Sequence, residues 1–389
     1  MRYEIKKGGR SLIEAGIKLT GSLSSLIVIL IVIFLFKEGL GLFGNSTVEN
    51  GYVIAVHRDN PLSTLNSEQI LGIFDGEITR WSAVNPHGGK NPQGEITVAY
   101  NIDQALEQED RTNMIAFLPK EYLAEVDDMK AVDCGNINFA DFFAGKTWMP
   151  TAQPAPQFGV LPIILGTLMV SFAAIAIALP FALAAAVFLS EIADKRLYKL
   201  LKPAIELLSG IPSVVYGFFG LIVVVPIVQK TFGLDVGETA LSGAIILAIM
   251  ALPTIITIAE DAMRATPDTL REASLALGAN KWQTIYKVVI PHAKSGITAG
   301  VVLGIGRAMG ETMAVLMVCG NAAVIPHTLL EPIRTIPATI AAELGEAPQG
   351  GTHYSALFML ACILFVLTLL INLSVEYISK RKNLKTKKI

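Results

Sequence analysis

Residues 161–189 of the chain read LPIILGTLMVSFAAIAIALPFALAAAVFL, and none of them is charged. They lie within an uncharged stretch of 44 residues that runs from Thr147 to Ser190. A helix needs about 20 mostly apolar residues to cross the hydrocarbon core of a bilayer. The stretch therefore predicts a transmembrane helix near Leu161–Leu189.

The composition of the whole chain agrees with a membrane protein. Of the 389 residues, 52% are hydrophobic and 16% are charged, whereas a soluble globular chain carries about 25% charged residues. The mean hydropathy is +0.53. A net charge of −2 argues against a nucleic-acid partner. Three cysteines without a CxxC spacing predict neither a disulfide framework nor a metal cluster.

Five further stretches are long and apolar enough to cross a bilayer. The first lies between Lys18 and Lys37, and no small-x-small cleavage site follows it, so we interpret it as a retained span rather than a signal peptide. The remaining four are Leu207–Gln229, Thr239–Ala259, Ser295–Cys319 and a span within Ala347–Val375. The sequence therefore predicts an all-α polytopic membrane protein with six transmembrane helices.

The basic residues predict the orientation of these helices. Lysine and arginine cluster in the N-terminus, in the loops 195–202 and 264–294, and in the tail 380–389. A six-span chain places all four clusters on one side of the membrane. Cytoplasmic loops carry the excess of lysine and arginine. We therefore predict a multi-pass protein of the bacterial inner membrane with both termini in the cytoplasm.

A hydrophilic insertion, residues 46–156, separates the first two predicted spans. It holds 16 acidic and 7 basic residues, a local balance of −9. Gly51–His57 and Glu95–Tyr100 have the pattern of strands, and Ser67 is predicted to cap a helix between them. The segment is therefore expected to form a small α/β module on the periplasmic side.

The loop 260–294 has the pattern of two short helices, which we name the elbow (residues 266–291). Thr266-Pro267-Asp268 predicts a helix start with a capping threonine and a proline in the first turn. Gly278 predicts its end, because glycine favours the left-handed backbone of a helix C-terminus. Asn280 is predicted to cap a second helix, and Pro291 to end it.

The elbow resembles the loop of binding-protein-dependent ABC transporter permeases. That family carries Glu-Ala-Ala, three residues, Gly, nine residues and then Ile-x-Leu-Pro. The chain has Glu272-Ala273-Ser274, Gly278 and Val288-Val289-Ile290-Pro291 at the same spacing. The resemblance implies the type I ABC importer permease fold. It also implies that Glu272, Ala273, Gly278 and Pro291 couple the chain to an ATPase subunit.

Other segments are similar to one subfamily, the PstC-type permeases of phosphate importers. They are Leu161–Ser171, Ser190-Glu191, Ile205–Gly217 and Gly306–Val315. This resemblance implies a homologous PstA-type permease, two PstB-type ATPase subunits and a periplasmic PstS-type phosphate-binding protein as partners. The insertion is longer than the exported loop of that subfamily.

Part of the insertion resembles a fragment of periplasmic phosphate-binding proteins. The likeness covers Ala55–Pro61 and Ile73–Trp81, and it omits the Gly/Ser-rich turns that cradle the anion in that family. The insertion is therefore not expected to bind phosphate tightly by itself.

Three polar residues in predicted spans are candidates for the substrate pathway. Arg307 and Glu311 are spaced i,i+4 in the predicted fifth span, where an ionisable residue is costly and often marks a transport pathway. The alternative is a local salt bridge that neutralises both charges. Ser213 follows Pro212, which would leave free backbone N–H groups for an anion or would only kink the helix.

Glycines in the same predicted span give it a second feature. Gly296, Gly300 and Gly304 recur every four residues, as do Gly306 and Gly310. Such series let helix backbones approach closely, so we interpret both as packing faces.

Other features of the sequence exclude catalysis by the chain itself. It contains no Gly-x-x-x-x-Gly-Lys-[Ser/Thr] loop, so a partner has to hydrolyse ATP. His57 and His87 stand at no metal-ligand spacing, and neither a metal nor a cofactor is predicted.

We therefore expect a non-catalytic permease subunit of an ATP-driven phosphate importer. A permease for molybdate or sulfate, or a membrane receptor with a sensing insertion, are the alternatives. The predicted segments are 1–45 (N-terminus and first span), 46–156 (insertion), 157–379 (permease domain, with the coupling loop 260–294) and 380–389 (basic tail).

Overall fold

The computed structural model describes residues 2–48, 51–84 and 94–386. His87 and the last three residues of the predicted tail lie outside these ranges. The described residues form two compact units. The first comprises Met1–Phe139, Met149–Gln157 and Ala347–Cys362, and the second comprises Ala140–Trp148, Phe158–Glu346 and Ile363–Ile389.

The first unit contains a four-stranded sheet, which confirms the predicted α/β character of the insertion. Its strands are β1 (Tyr52–His57), β2 (Thr97–Ala99), β3 (Met114–Pro119) and β4 (Met129–Ala131), in the order β2-β3-β1-β4. Strand β1 runs antiparallel to both of its neighbours, whereas β2 and β3 are parallel. All three central residues of β1, Ile54, Ala55 and Val56, are fully buried.

The helix Ser67–Phe74 packs in the core of this module, but its predicted cap is wrong. Asn66, not Ser67, has the extended backbone of a capping residue. The side chain of Asn66 accepts a hydrogen bond from the Gln69 amide (2.8 Å), and the Gln69 side chain accepts one from the Asn66 amide (2.9 Å). This reciprocal pair satisfies two backbone donors, which explains the earlier start.

The other short elements before the second span have the following bounds. They are the α-helices Ile102–Glu107 and Phe139–Ala144, the 3₁₀ turns Gly41–Gly44, Trp81–Ala83 and Lys120–Glu125, and the strands Trp148–Met149 and Gln157–Phe158.

Six helices within the described residues are long and apolar enough to cross a membrane, as predicted. These spans one to six are Lys18–Gly44, Leu161–Ile192, Ser213–Phe232, Ala240–Arg264, Lys281–Met309 and Thr352–Val375. The helices that contain the first and last spans are longer, Arg2–Leu40 and Thr352–Thr386. Span two ends in a π-helical segment, Phe188–Ile192, and span three contains another, Gly220–Val224.

The third span starts later than predicted, at Ser213 instead of Leu207. The residues before it form a separate helix, the linker helix (Lys195–Ser209), which Asp194 caps. Gly210 ends the linker helix, and Pro212 lies between the two helices with an extended ψ of 142°. Proline disfavours helical backbone at the residue before it, so the helix breaks here.

Span four packs against spans two and five and carries many of the buried residues of the second unit. The first glycine series of span five forms this interface, as predicted. A Cβ atom at Gly304 would lie 2.8 Å from the side chain of Ile255, and one at Gly300 would lie 3.2 Å from that of Ile258. The second series does not pack in this way, because a Cβ at Gly306 would meet no atom within 4 Å.

The chain between spans five and six is only partly helical. Span five ends at Met309 rather than at the predicted Cys319, and Gly310 follows it. Two short helices, Met313–Val318 and Ile336–Glu343, complete this part of the second unit.

Candidate functional site

The first arm of the elbow is the helix Asp268–Ala276, and it ends at Gly278 as predicted. Gly278 has a φ of +86°. Its N–H donates to the Leu275 carbonyl (2.9 Å), and the Ala279 N–H donates to the Ser274 carbonyl (3.2 Å). These two bonds form a Schellman motif, which requires the left-handed backbone at its central position. The start of this arm differs from the prediction, because Pro267 is the capping residue and Thr266 makes no capping bond.

The second arm begins at Lys281, and Asn280 caps it as predicted. The Asn280 side chain accepts from the Gln283 amide (2.8 Å), and the Gln283 side chain accepts from the Asn280 amide (2.9 Å). The predicted end of this arm at Pro291 is wrong. The helix passes through the π-helical segment Ile285–Val289 into Ile290–Met309, with Pro291 in its first turn. Pro291 thus lies inside a continuous helix, just after a π-helical segment that already interrupts the regular hydrogen-bond pattern.

A hydroxyl pair joins the two arms of the elbow. The Ser274 and Thr284 hydroxyl oxygens lie 2.9 Å apart and share a hydrogen bond. Thr284 is buried. Ser274 occupies the position at which the family pattern has alanine, so this departure from the pattern adds a contact across the bend.

Arg271 ties the elbow to the end of span two. Its guanidinium donates to Glu191 (Nη2 to Oε1, 2.9 Å) and to the Asp268 carboxylate (3.0 Å). It also donates to the backbone carbonyls of Met263 (2.9 Å) and Thr266. Hydrogen bonding to Glu191 raises the pKa of Arg271. No local pattern predicts this pair, since 80 residues separate its members.

A second ion-pair cluster surrounds Glu260, whose side chain has no solvent exposure. The Lys202 ammonium on the linker helix lies 2.5 Å from its carboxylate, and Arg264 pairs with it one turn along span four. Burial lowers the pKa of Lys202, but the hydrogen bond and charge of Glu260 outweigh this effect and raise it. The Arg264 guanidinium also lies 3.8 Å from the centre of the Tyr198 ring. The linker helix is thus held to span four by charge.

The outer face of the first arm is exposed and partly apolar. Leu277 is 90% exposed, and Leu270 and Leu275 are exposed as well. Glu272 and Ala273, two of the predicted coupling residues, lie on the same arm and are exposed. This face is available to a partner protein.

Arg307 and Glu311 do not share a helix, so the alternative of a local i,i+4 salt bridge between them is wrong. Helix Ile290–Met309 ends before Glu311. Glu311 lies in the break, the non-helical residues 310–312 between this helix and Met313–Val318. Arg307 donates to the hydroxyl of Thr254 on span four (3.4 Å). Glu311 accepts from the Ala314 amide (3.4 Å). No ion pair joins the two side chains among the described residues, and both are half-buried.

Ser213 lies at the start of span three and is half-buried. Helix Met313–Val318 packs on this part of the span, since a Cβ at Gly217 would lie 3.0 Å from the Ala314 backbone. Tyr216 donates to the Leu208 carbonyl (2.8 Å) and belongs to the same buried cluster as Ala308 and Ala314. Span three is therefore brought beside the break, although no hydrogen bond joins Ser213 to Arg307 or Glu311 in the part of the chain described. In that part, no group of three His, Cys, Asp or Glu side chains could hold a metal ion.

Residues 178–384 match the family described as "Binding-protein-dependent transport system inner membrane component". The chain belongs to this family. It is 42% identical over 242 residues to the "Probable ABC transporter permease protein YqgH" of Bacillus subtilis, which spans 62% of this chain and 78% of that protein. It is 39% identical over 264 residues to the "Phosphate transport system permease protein PstC" of Mesorhizobium japonicum, with 63% and 80% of the two chains covered. A solved structure of the MetNI methionine ABC transporter is 21% identical over 57% of this chain and 94% of that one, with a TM-score of 0.43.

Family membership confirms the resemblance drawn from Glu272–Pro291. The permease is a multi-pass inner membrane protein and a non-catalytic subunit, and its family works with ATPase and binding-protein partners. The elbow lies within the matched residues.

We predict that Glu260→Gln destabilises the permease by about 3–5 kcal/mol, because it leaves Lys202 and Arg264 without their buried counter-ion. The control is Asp261→Asn. Asp261 also contacts Lys202 (3.4 Å) but is 65% exposed, so its loss should change stability by less than about 1 kcal/mol. Thermal unfolding of the purified permease in detergent measures both. Equal stability of the two variants would contradict the assignment of Glu260 as the anchor of the cluster.

Proposed function

We propose that the permease is a transmembrane subunit of an ATP-driven phosphate importer and forms half of the translocation pathway. The observation that carries this proposal is its 35–39% identity to several phosphate transport system permeases named PstC. The proposed partners are a PstA-type permease, two PstB-type ATPase subunits and a PstS-type binding protein. The proposed orientation has both termini and the elbow in the cytoplasm.

In this proposal the exposed face of the first arm, with Glu272, Ala273 and Leu277, docks in a groove of the ATPase. Two connections carry ATPase movement into the membrane. One is the contact of Arg271 with Glu191 at the end of span two. The other is the second arm, which continues without a break into span five.

Arg307 is proposed to meet the anion during its passage. Its guanidinium has no carboxylate within ion-pairing distance among the described residues and lies beside the break at Gly310. A planar guanidinium can donate two parallel hydrogen bonds to a tetrahedral oxyanion. Glu311 and Ser213 remain proposed pathway residues near the same break.

The insertion is proposed to contact the binding protein rather than to hold phosphate. Its balance of −9 repels anions at short range, although salt screens this repulsion beyond about 8–10 Å. A pocket beside strand β2 is lined by Glu107 and Glu109 and by no basic residue. This pocket therefore does not suit an anion.

Anion uptake by the reconstituted complex tests the proposed substrate. We expect ATP-dependent uptake of labelled phosphate, with unlabelled phosphate competing and sulfate and molybdate competing at least tenfold less well. A difference of tenfold requires about 1.4 kcal/mol of discrimination. Uptake that sulfate or molybdate blocks better than phosphate would assign the permease to another oxyanion.

We predict that Gly278→Val uncouples ATP hydrolysis from uptake while the spans still insert. A β-branched residue is strained at a φ of +86°, which costs about 1–2 kcal/mol locally and misaligns the two arms. The control is Gly278→Asn, because asparagine tolerates this backbone. A Cβ at this position would meet no atom within 4 Å, so the two variants differ in backbone preference and not in space. Normal phosphate uptake by Gly278→Val would exclude the coupling role of the bend.

We predict that Arg307→Gln assembles with its partners but loses at least tenfold in phosphate uptake, and that Arg307→Lys is also impaired, because an ammonium cannot form the planar pair of bonds. Thr254→Val is the control, since it removes the hydroxyl next to Arg307 and keeps the charge. Uptake is normalised to assembled complex in membranes. Wild-type uptake by the double variant Arg307→Gln/Glu311→Gln would reduce Arg307 to a structural residue.

A further inference from the structure

An apolar groove lies beside the second arm of the elbow. It has a volume of about 650 Å³. Phe188 and Ile192 of span two line one side, and Trp282, Ile285 and Tyr286 line the other. Trp282 and Tyr286 are 66% and 74% exposed. This lining is apolar and aromatic and contains no charged residue, so it does not suit a small polar ligand.

The backbone on both sides of the groove is irregular in the same way. Phe188–Ile192 and Ile285–Val289 are two of the three π-helical segments among the described residues. Such segments occur frequently at functional sites. The irregular backbone on both sides therefore favours a functional role for the groove.

Basic residues stand next to groove residues in the chain. Lys281 and Lys287 adjoin Trp282 and Tyr286 in the chain, and Lys195 and Arg196 follow soon after Ile192. All four are exposed, and none of them takes part in an ion pair within the described ranges. Aromatic residues beside basic ones are typical of the membrane–water interface.

We propose that this groove binds an anionic phospholipid, with an acyl chain along the apolar lining and the headgroup near the basic residues that adjoin it in the chain. Basic pockets between membrane helices on the cytoplasmic side bind anionic headgroups. A second permease fits the groove less well. Its own cytoplasmic surface would carry excess lysine and arginine and would repel these cations.

The proposal rests on the proposed orientation of the elbow and not on the transported anion. It adds a lipid contact at the second arm of the elbow, which the ATPase moves in the proposed function. A failed lipid test leaves phosphate uptake unaffected, and a failed uptake test leaves the lipid contact unaffected, so the two proposals fail separately.

The test uses the fluorescence of Trp282 in the full-length permease, reconstituted in phosphatidylcholine vesicles. Phospholipids with dibrominated acyl chains quench a tryptophan that they contact. The Trp282 signal is the difference between the wild-type chain and Trp282→Phe. We expect half-maximal quenching by dibrominated phosphatidylglycerol at about a fivefold lower mole fraction than by dibrominated phosphatidylcholine, which corresponds to one basic residue near the surface.

Two sets of variants distinguish lipid binding in the groove from general contact of the spans with lipid. Ala184→Phe fills the groove and should abolish the preference for phosphatidylglycerol. The control Ala176→Phe adds the same ring at an exposed position of the same helix outside the groove and should keep it. Lys281→Gln/Lys287→Gln should weaken the preference while quenching by phosphatidylcholine remains.

Three results would overturn the proposal. The first is equal quenching by the two lipids in the wild-type chain. The second is the same effect of Ala184→Phe and Ala176→Phe. The third is loss of quenching when the second permease joins the complex, because a protein helix would then occupy the groove.

Discussion

The carboxylate of Glu260 is fully buried at the end of an apolar helix, and the surrounding helices supply the cations that it needs. An unpaired charge in this position would be destabilising. Lys202 approaches from the linker helix, and Arg264 pairs with Glu260 along span four itself. Arg264 also stacks on Tyr198, so the linker helix is attached at two points. The position of this helix therefore follows from one buried charge.

The same end of the second unit contains a second ion pair with a different consequence. Arg271 is on the elbow and Glu191 is on span two, so their contact joins an element outside the spans to one within them. Arg271 also bonds to the carbonyls of Met263 and Thr266. The first arm is thus held against spans two and four, while its apolar outer face stays exposed. A rigid attachment on one side and a free surface on the other are what a mechanical connection requires.

Local signals in the sequence predicted much of this arrangement. Apolar runs predicted six spans because a charge in hydrocarbon is costly at any position of the run. Gly278 and Asn280 were predicted correctly because the helix end and the cap each depend on a few neighbouring residues. The same rules misplaced two caps by one residue. Asn66 beside Ser67 is itself a capping residue, and Pro267 takes the cap position after Thr266 without a side-chain bond.

The remaining features depend on contacts between distant residues, and no local pattern predicts them. Glu191 and Arg271, and likewise Lys202 and Glu260, meet only after the helices pack. The i,i+4 spacing of Arg307 and Glu311 suggested an ion pair, but that inference assumed a continuous helix, which Gly310 ends. Pro291 suggested a helix end, but the helix continues through it, just after the π-helical segment Ile285–Val289.

These corrections change how the two candidate regions of the permease are connected. Because Pro291 does not end the second arm, one continuous helix runs from Lys281 to Met309. At about 1.5 Å per residue, it spans roughly 39 Å between Lys281 and Arg307. Its glycine face packs closely on span four, because the side chains of Ile255 and Ile258 lie against Gly304 and Gly300. Gly310 ends the helix three residues after Arg307, so no loop intervenes between the elbow and the guanidinium. The elbow and the proposed pathway are therefore connected by one continuous helix.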